Sequence, residues 1–291
     1  MTAVICAKNI VKRYGKTVAV DHMSFTIPEG RIVGLIGPNG SGKTTALKAL
    51  LGLTSFEGEL SVLGLDPRTQ RDALMQQVCF VADVAVLPRW LKVGNAIDFL
   101  EGIHPKFSRA RAMQFIAQTK LGAQMKVGEM SKGMVAQLHL ALIMAIDAKL
   151  LVLDEPTLGL DIVYRKQFYQ NLLGDYFDAQ KTILITTHQV EEIESVLSDV
   201  MFIADGKITL NASMEALSQR FVEITVAPAN ADAARALAPM HERQHFGRTV
   251  MIFDGLSVDA LARLEALGVE TTQQRSPSLA DIFLATLKKP I

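Results

Sequence analysis

The sequence predicts an α/β fold with a mostly parallel core sheet, and three features carry the prediction. Two fully apolar runs, "LLVLD" (150–154) and "TILITT" (182–187), are separated by a helical stretch around Val163–Phe177. That pattern marks strands buried on both faces and joined by a right-handed crossover. A glycine-rich turn, "GPNGSGKTT" from Gly37 to Thr45, stands between the apolar strand "IVGLI" and the helix "TTALKALLGL". From Leu91 to Ile146 the apolar spacing turns helical, with Ala96, Ile97 and Leu100 followed by Met113, Ile116 and Ala117. A helical insert therefore interrupts the strand and helix alternation.

Taken in order, the first 65 residues read as strands: "VICAKNI", "VAVDHMSFTI", "GRIVGLIG" and "GELSVLG", separated by glycine-containing or polar turns. They predict an antiparallel β subdomain feeding the first core strand and its helix. After "TILITT" come a helix, "VEEIESVLS", and a further strand, "VMFIAD". Beyond about Ser218 the character changes. "FVEITVA", "ADAARALAP", "TVMIFD", "VDALARLEALG", "VETTQ" and "SLADIFLATL" form a small α+β module of roughly 70 residues, near the lower limit for an independent domain. The expected boundaries are 1–217 for the main domain, about 84–149 for its helical insert and 218–291 for the accessory module. The module holds no motif tied to chemistry, which favours a packing or dimerisation appendage over a ligand sensor.

At 291 residues and 49% hydrophobic content the chain can bury a large core. Thirty basic and thirty acidic residues cancel, so no global field draws it to nucleic acid or an anionic membrane. The longest uninterrupted apolar run, Leu140–Ile146, falls far short of the roughly 20 residues that cross a bilayer. The N-terminus lacks the pattern of a secretory signal, and a cytoplasmic location is expected. Cys6 and Cys79 lie in apolar strand contexts without partners at metal spacing, which reads as reduced thiols.

"GPNGSGKTT" fits G-x-x-x-x-G-K-[ST] in the required strand-to-helix context. Its glycines let successive N–H groups wrap around phosphate oxygens at a helix N-terminus. Lys43 supplies a charge for the outer phosphates, and the Thr44 hydroxyl can bind Mg²⁺. "LLVLDEPTLGLD" ends an apolar strand in two carboxylates, at the sheet edge where ligands sit. Asp154 is placed to hold Mg²⁺, and Glu155 to polarise a water attacking the terminal phosphate. Alone, the same pair could simply end a strand before Pro156. His188 in "TTHQVEE" could be a helix cap or a buried imidazole, and it gains weight from sharing that edge with Glu155. Ser131, opening the apolar helix of "EMSKGMVAQLHLALIMAID", reads first as an N-cap.

Jointly these residues resemble the ATP-binding subunits of ABC transporters, over about Val4–Leu217. The resemblance makes the fold that of a P-loop ABC ATPase. It implies that Gly37, Pro38, Asn39, Gly40, Ser41, Gly42, Lys43, Thr44 and Thr45 form the Walker A loop. Asp154 and Glu155 close the Walker B strand, and Tyr14 in "KRYG" stacks on adenine. Leu158–Asp161 form the D-loop, and His188 is the switch histidine. "MSKGM", Met130–Met134, stands where the family reads L-S-G-G-Q; Ser131 and Gly133 would then complete the ATP site of a second subunit. The cofactors implied are ATP and Mg²⁺. The implied partners are a transmembrane permease on a separate chain and another ATPase subunit, in a homodimer or heterodimer, with no nucleic acid. The protein would sit peripherally on the inner face of the membrane through its permease.

Two departures stand out. Lys132 and Met134 replace the usual glycine and glutamine, a variant resembling subunits that serve separate export permeases, as does "HPKFS". At the family's loop glutamine, "CFVADVAVLPRW" has Asp83. Either its carboxylate reaches Mg²⁺, or it is an ordinary loop residue and the metal keeps a water. "LPRW" and the helix after Val93 form the expected permease-docking surface, with Trp90 as its anchor or as core. A GTPase reading fails for want of an N-K-x-D motif. A soluble ABC ATPase acting on nucleic acid lacks support in a neutral, single-copy motif set. A weakly hydrolysing regulatory subunit is opposed by the presence of both Glu155 and His188.

Overall fold

A computed structural model describes residues 2–82, 87–158, 162–266 and 275–287. Two compact units result: Met1–Leu197 with Ile203–Ile208, and Ser198–Phe202 with Thr209–Ile291.

The chain opens with a long hairpin, β1 (Ala3–Tyr14) and β2 (Thr17–Pro28), closed where Tyr14 pairs with Thr17. Gly15 takes the left-handed conformation (φ 58°) that this tight turn requires. β3 (Ile32–Ile36) is buried at every residue and leads through the glycine turn into α1 (Lys43–Leu50). β4 (Glu57–Val62) returns to β1, giving an antiparallel sheet in the order β2-β1-β4. α2 (Arg71–Met75) and β5 (Val78–Val81) follow.

The helical insert contributes α3 (Val93–Ile103), α4 (Arg109–Ala117) and α5 (Lys132–Met144). Val93, Ala96 and Ile97 of α3, Ala112 and Ile116 of α4, and Leu138, Ala141 and Leu142 of α5 make one buried cluster. The insert thus has its own apolar core. β6 (Leu150–Asp154), α6 (Ile162–Asn171) with a π-helical turn over Leu172–Tyr176, and β7 (Thr182–Thr187) restore the alternation. α7 (Val190–Ile193) runs into a 3₁₀ turn at Glu194–Val196, ahead of β8 (Asp199–Ala204) and β9 (Lys207–Ser213).

Among the described residues the core sheet has the order β5-β6-β7-β3-β8-β9, with β5, β6, β7 and β3 paired in parallel. Register places the site. Ile36 at the end of β3 pairs with Thr187, and Asp154 at the end of β6 pairs with Thr186. The three strands therefore release their chains at one carboxyl edge, where the glycine turn, Glu155 and His188 emerge together.

The second unit holds α8 (Met214–Arg220), β10 (Phe221–Val226), α9 (Ala231–Arg235), β11 (His241–His245), β12 (Arg248–Asp254), α10 (Val258–Ala266) and α11 (Leu279–Leu287). Its antiparallel sheet runs β10-β12-β11 over a core that includes Ile224, Val226, Met251, Phe253 and Leu264. Phe202 and Phe283 meet edge to face at 5.0 Å. Glu223, fully buried, is neutralised by Arg275 (2.5 Å) and Arg243 (3.2 Å).

α2, β9, α8 and β11 were not expected from the sequence. "HERQH" of β11, which among the described residues is an edge strand paired with β12, has no apolar alternation to announce it. The expected helix "VEEIESVLS" splits into an α turn and a 3₁₀ turn. "VETTQ" lies outside the described residues. Both cysteines are free, and burial pushes the Cys79 thiol up to about 12, an unreactive state.

Candidate active site

Two glycines of the turn accept no side chain. A Cβ on Gly37 would lie 2.3 Å from the Ile203 carbonyl oxygen and 2.6 Å from Ser41 Oγ. One on Gly42, at φ 106°, would lie 2.3 Å from the Ala19 carbonyl oxygen. Pro38, Asn39 and Gly40 form the exposed crest, and α1 starts at Lys43. Ser41 Oγ is buried and meets no protein partner, so a hydroxyl donor is held beneath that crest.

Lys43 is only 7% exposed. Its Nζ donates to the carbonyls of Gly37 (2.8 Å) and Pro38 (3.2 Å) and lies 3.5 Å from Glu155 Oε1. Thr44 Oγ1 donates to Asp154 Oδ2 (2.9 Å), and Thr186 Oγ1 donates to Asp154 Oδ1 (2.5 Å). The Glu155 N–H donates to Thr186, to its carbonyl at 3.1 Å and its hydroxyl at 3.2 Å. The Thr186 hydroxyl thus bridges the two acidic positions. Glu155 itself sits at φ 48°, left-handed for a non-glycine residue, and its Oε2 lies 2.9 Å from His188 Nδ1. One carboxylate is thereby held between a lysine and a histidine drawn from three different strand ends.

Tyr14 and Ser131 make their contacts elsewhere. Tyr14, 49% exposed, ends β1 with Lys12 Nζ 4.9 Å above its ring. Ser131 is the N-cap of α5: its Oγ accepts from the Met134 N–H (3.3 Å) and its carbonyl accepts from the Val135 N–H (3.0 Å). Gly133 is buried and Lys132 exposed. Among the described residues these hydrogen bonds of Ser131 stay within its own helix. Asp83 and residues 159–161 of the expected D-loop lie outside the described residues; Leu158 is 51% exposed, its N–H donating to the Glu155 carbonyl (3.1 Å). Trp90 is 71% exposed, which excludes the core alternative. Thr186 was not anticipated; its only signal was a polar pair at the end of an apolar strand.

Comparison with known proteins gives this edge its context. The chain is 31% identical to Nod factor export ATP-binding protein I of Cupriavidus metallidurans over 303 aligned positions, which span 98% of this chain and 97% of that one. It belongs to the ABC transporter family of ATP-binding subunits. A family model described as ABC transporter matches residues 20–158. Nod factor export ATP-binding protein I of Burkholderia thailandensis is 32% identical over 95% of this chain and 94% of its own length. Among solved structures, one described as the ATP-binding subunit of an ABC transporter superposes with a TM-score of 0.66 at 20% identity, covering 74% of this chain and 92% of that one, which supports the fold. As an ABC ATP-binding subunit the chain binds and hydrolyses ATP. No helix among its described residues is long and apolar enough to cross a membrane.

The residues fit a nucleotide. Bare backbone at Gly37 and Gly42, the unpartnered Ser41 hydroxyl and the buried Lys43 ammonium suit phosphate oxygens. No group of three or more His, Cys, Asp or Glu among the described residues could hold a metal alone. Mg²⁺ fits such a site, since it takes one or two protein oxygens and draws the rest from phosphates and water. Thr44 and Asp154 present such a pair.

Proposed function

We propose that Glu155 is the general base of ATP hydrolysis and that the remaining site residues hold the triphosphate against it. The observation that carries this reading is the Glu155 carboxylate, fixed 3.5 Å from Lys43 and 2.9 Å from His188 at the sheet edge. Lys43 exchanges its carbonyl contacts for the β- and γ-phosphates, and the Gly37–Thr45 amides bind the remaining oxygens. Thr44 and Asp154 would hold Mg²⁺, which when bound would neutralise charge developing on the phosphates. Water attacks the γ-phosphorus in line, its proton passes to Glu155, and the bond to the β-phosphate oxygen breaks to leave ADP and phosphate. His188 holds the carboxylate from the other side and contacts the γ-phosphate. Tyr14 stacks on adenine.

Ser131 and Gly133, at the N-terminus of α5, complete the site of a second subunit, with Lys132 close to its phosphates or to an acidic neighbour. The side-chain geometry supports this, because the Ser131 oxygen is exposed at the helix N-terminus and accepts the Met134 N–H of its own helix. The chain acts at the cytoplasmic face on a separate permease. Exposed Trp90, Phe99 and Ile103 support a docking surface there. The named function of its relatives supports export as the direction. Residues 218–291 are an accessory module.

Glu155→Gln tests the assignment. ATP binding is expected to persist while turnover falls by about 100-fold or more, the usual weight of a general base. Near-normal turnover by that variant overturns the assignment of the base.

A further inference from the structure

The segment after His188 is short of intrinsic support. α7 spans only Val190–Ile193, too short to hold itself as a helix. Beside it a cleft of about 670 Å³ opens towards α6, lined by Ile162, Arg165, Tyr169, Glu192, Ser195 and Val196. Apolar packing across that gap is therefore incomplete, and polar contacts bridge it.

Those contacts close a ring. Arg165 of α6 donates from Nη1 to Gln189 Oε1 (2.6 Å) and pairs through the same nitrogen with Glu192 Oε1. Glu192 Oε2 accepts from the Thr157 hydroxyl (3.2 Å), which also lies 3.4 Å from the Tyr169 hydroxyl. Thr157 is 3% exposed and stands two residues after Glu155; Gln189 directly follows His188. The Glu155–His188 contact, the backbone from 188 to 192, the Glu192–Thr157 bond and the backbone from 157 to 155 thus form one closed circuit, with Arg165 clamped across α7.

We infer that Arg165 and Glu192, acting with Thr157, are positioning residues that set the His188 ring against the Glu155 carboxylate. They act through Gln189 and Thr157 rather than by binding the phosphates or the attacking water. The guanidinium fixes Gln189 and Glu192 one helical turn apart, and the Glu192–Thr157 bond ties that turn to the strand end carrying Glu155. A charged pair at about one-fifth exposure retains more of its geometry than a surface pair does, since fewer waters compete for it. Without it α7 can shift into the cleft and carry His188 away from Glu155.

This inference rests on the hydrolytic reading above, and the experiment separates the two. The full-length chain is assayed for ATP turnover, binding of a fluorescent ATP analogue and thermal unfolding, as wild type, Glu155→Gln, Arg165→Met, Arg165→Lys and Glu192→Gln. Arg165→Met and Glu192→Gln are each expected to lower kcat about tenfold, with KM and analogue affinity within about twofold of wild type. Arg165→Lys keeps a donor and is expected to recover to within about threefold of wild-type kcat. Full turnover by both Arg165→Met and Glu192→Gln overturns the inference. So does a loss of kcat matched by an equal loss of analogue binding or a collapse of the melting temperature. If Arg165→Met does not fold, Glu192→Gln decides by the same criteria. A wild type without turnover, or an active Glu155→Gln, instead strikes the hydrolytic reading.

Discussion

At φ 48°, Glu155 holds a backbone conformation that costs a non-glycine residue about 1–3 kcal/mol, and Thr186 is what maintains it. The Thr186 carbonyl and hydroxyl both accept the Glu155 N–H, while the same hydroxyl donates to Asp154. Thr186→Val preserves shape and removes the bridge, leaving a buried carboxylate oxygen short of a donor. It is expected to lower unfolding stability by about 1–3 kcal/mol in urea titrations and to depress ATP turnover, whereas Thr186→Ser recovers both. Gly42→Ala meets backbone rather than a movable side chain, 2.3 Å from the Ala19 carbonyl oxygen and at φ 106°. Loss of analogue binding is the expected result, and retained binding would show that the turn can open. Lys43, Thr44, Asp154 and Glu155 were legible in the sequence because phosphate chemistry demands those residue types at fixed spacing. Thr186 was not, since threonine is an ordinary strand residue and only the pairing of β6 with β7 brings it to Asp154.

Under the proposed function the N-terminus of α5 has two roles, helix capping and phosphate binding, that the sequence ran together. It is capped by Ser131, and a cap contributes about 1 kcal/mol to a helix whichever of Ser or Asp supplies the oxygen. Ser131→Asp therefore separates capping from phosphate binding. The melting temperature is expected to stay near wild type while ATP-dependent dimerisation, read by light scattering, is lost to charge repulsion. Retention of both would mean that Ser131 serves only the helix. Further along, burial pulls the His139 imidazole down to about 4, and its Nε2 has no hydrogen-bond partner among the described residues. The unfolded chain binds that proton near the ordinary value of 6.5, so stability falls as pH drops through 6.5 towards 4. From the shift between those two values the loss approaches about 3 kcal/mol at the acid end. His139→Leu is expected to flatten the dependence of the melting temperature between pH 7 and pH 5; an unchanged slope would place the acid sensitivity elsewhere. The strands of the parallel sheet were legible because burial on both faces makes them continuously apolar. α7 and β11 were less so: one is held by side chains from another element and the other is polar throughout, so neither writes a period into the sequence.

Across the whole molecule the informative disagreement concerns where the accessory module begins. Composition changes near residue 218, yet the second compact unit also takes in Ser198–Phe202, part of β8, and resumes at Thr209 within β9. Composition cannot show this, because β8 reads as one more apolar strand of the alternating series. The packing of Phe202 does: it is fully buried, and its ring meets Phe283 of α11 at 5.0 Å. A chain ending at residue 217 removes that ring and leaves a large aromatic on β8 without its partner, a change of the kind that costs about 3–5 kcal/mol when a buried aromatic is itself deleted. The shortened chain is expected to melt well below the full-length protein and to bind a hydrophobic dye, although every residue assigned to the ATP site is still present. Phe283→Ala in the full-length chain is expected to reproduce part of that loss. If residues 1–217 instead match the full chain in melting temperature and analogue binding, the module is a dispensable appendage, and the boundary suggested by composition is the physical one.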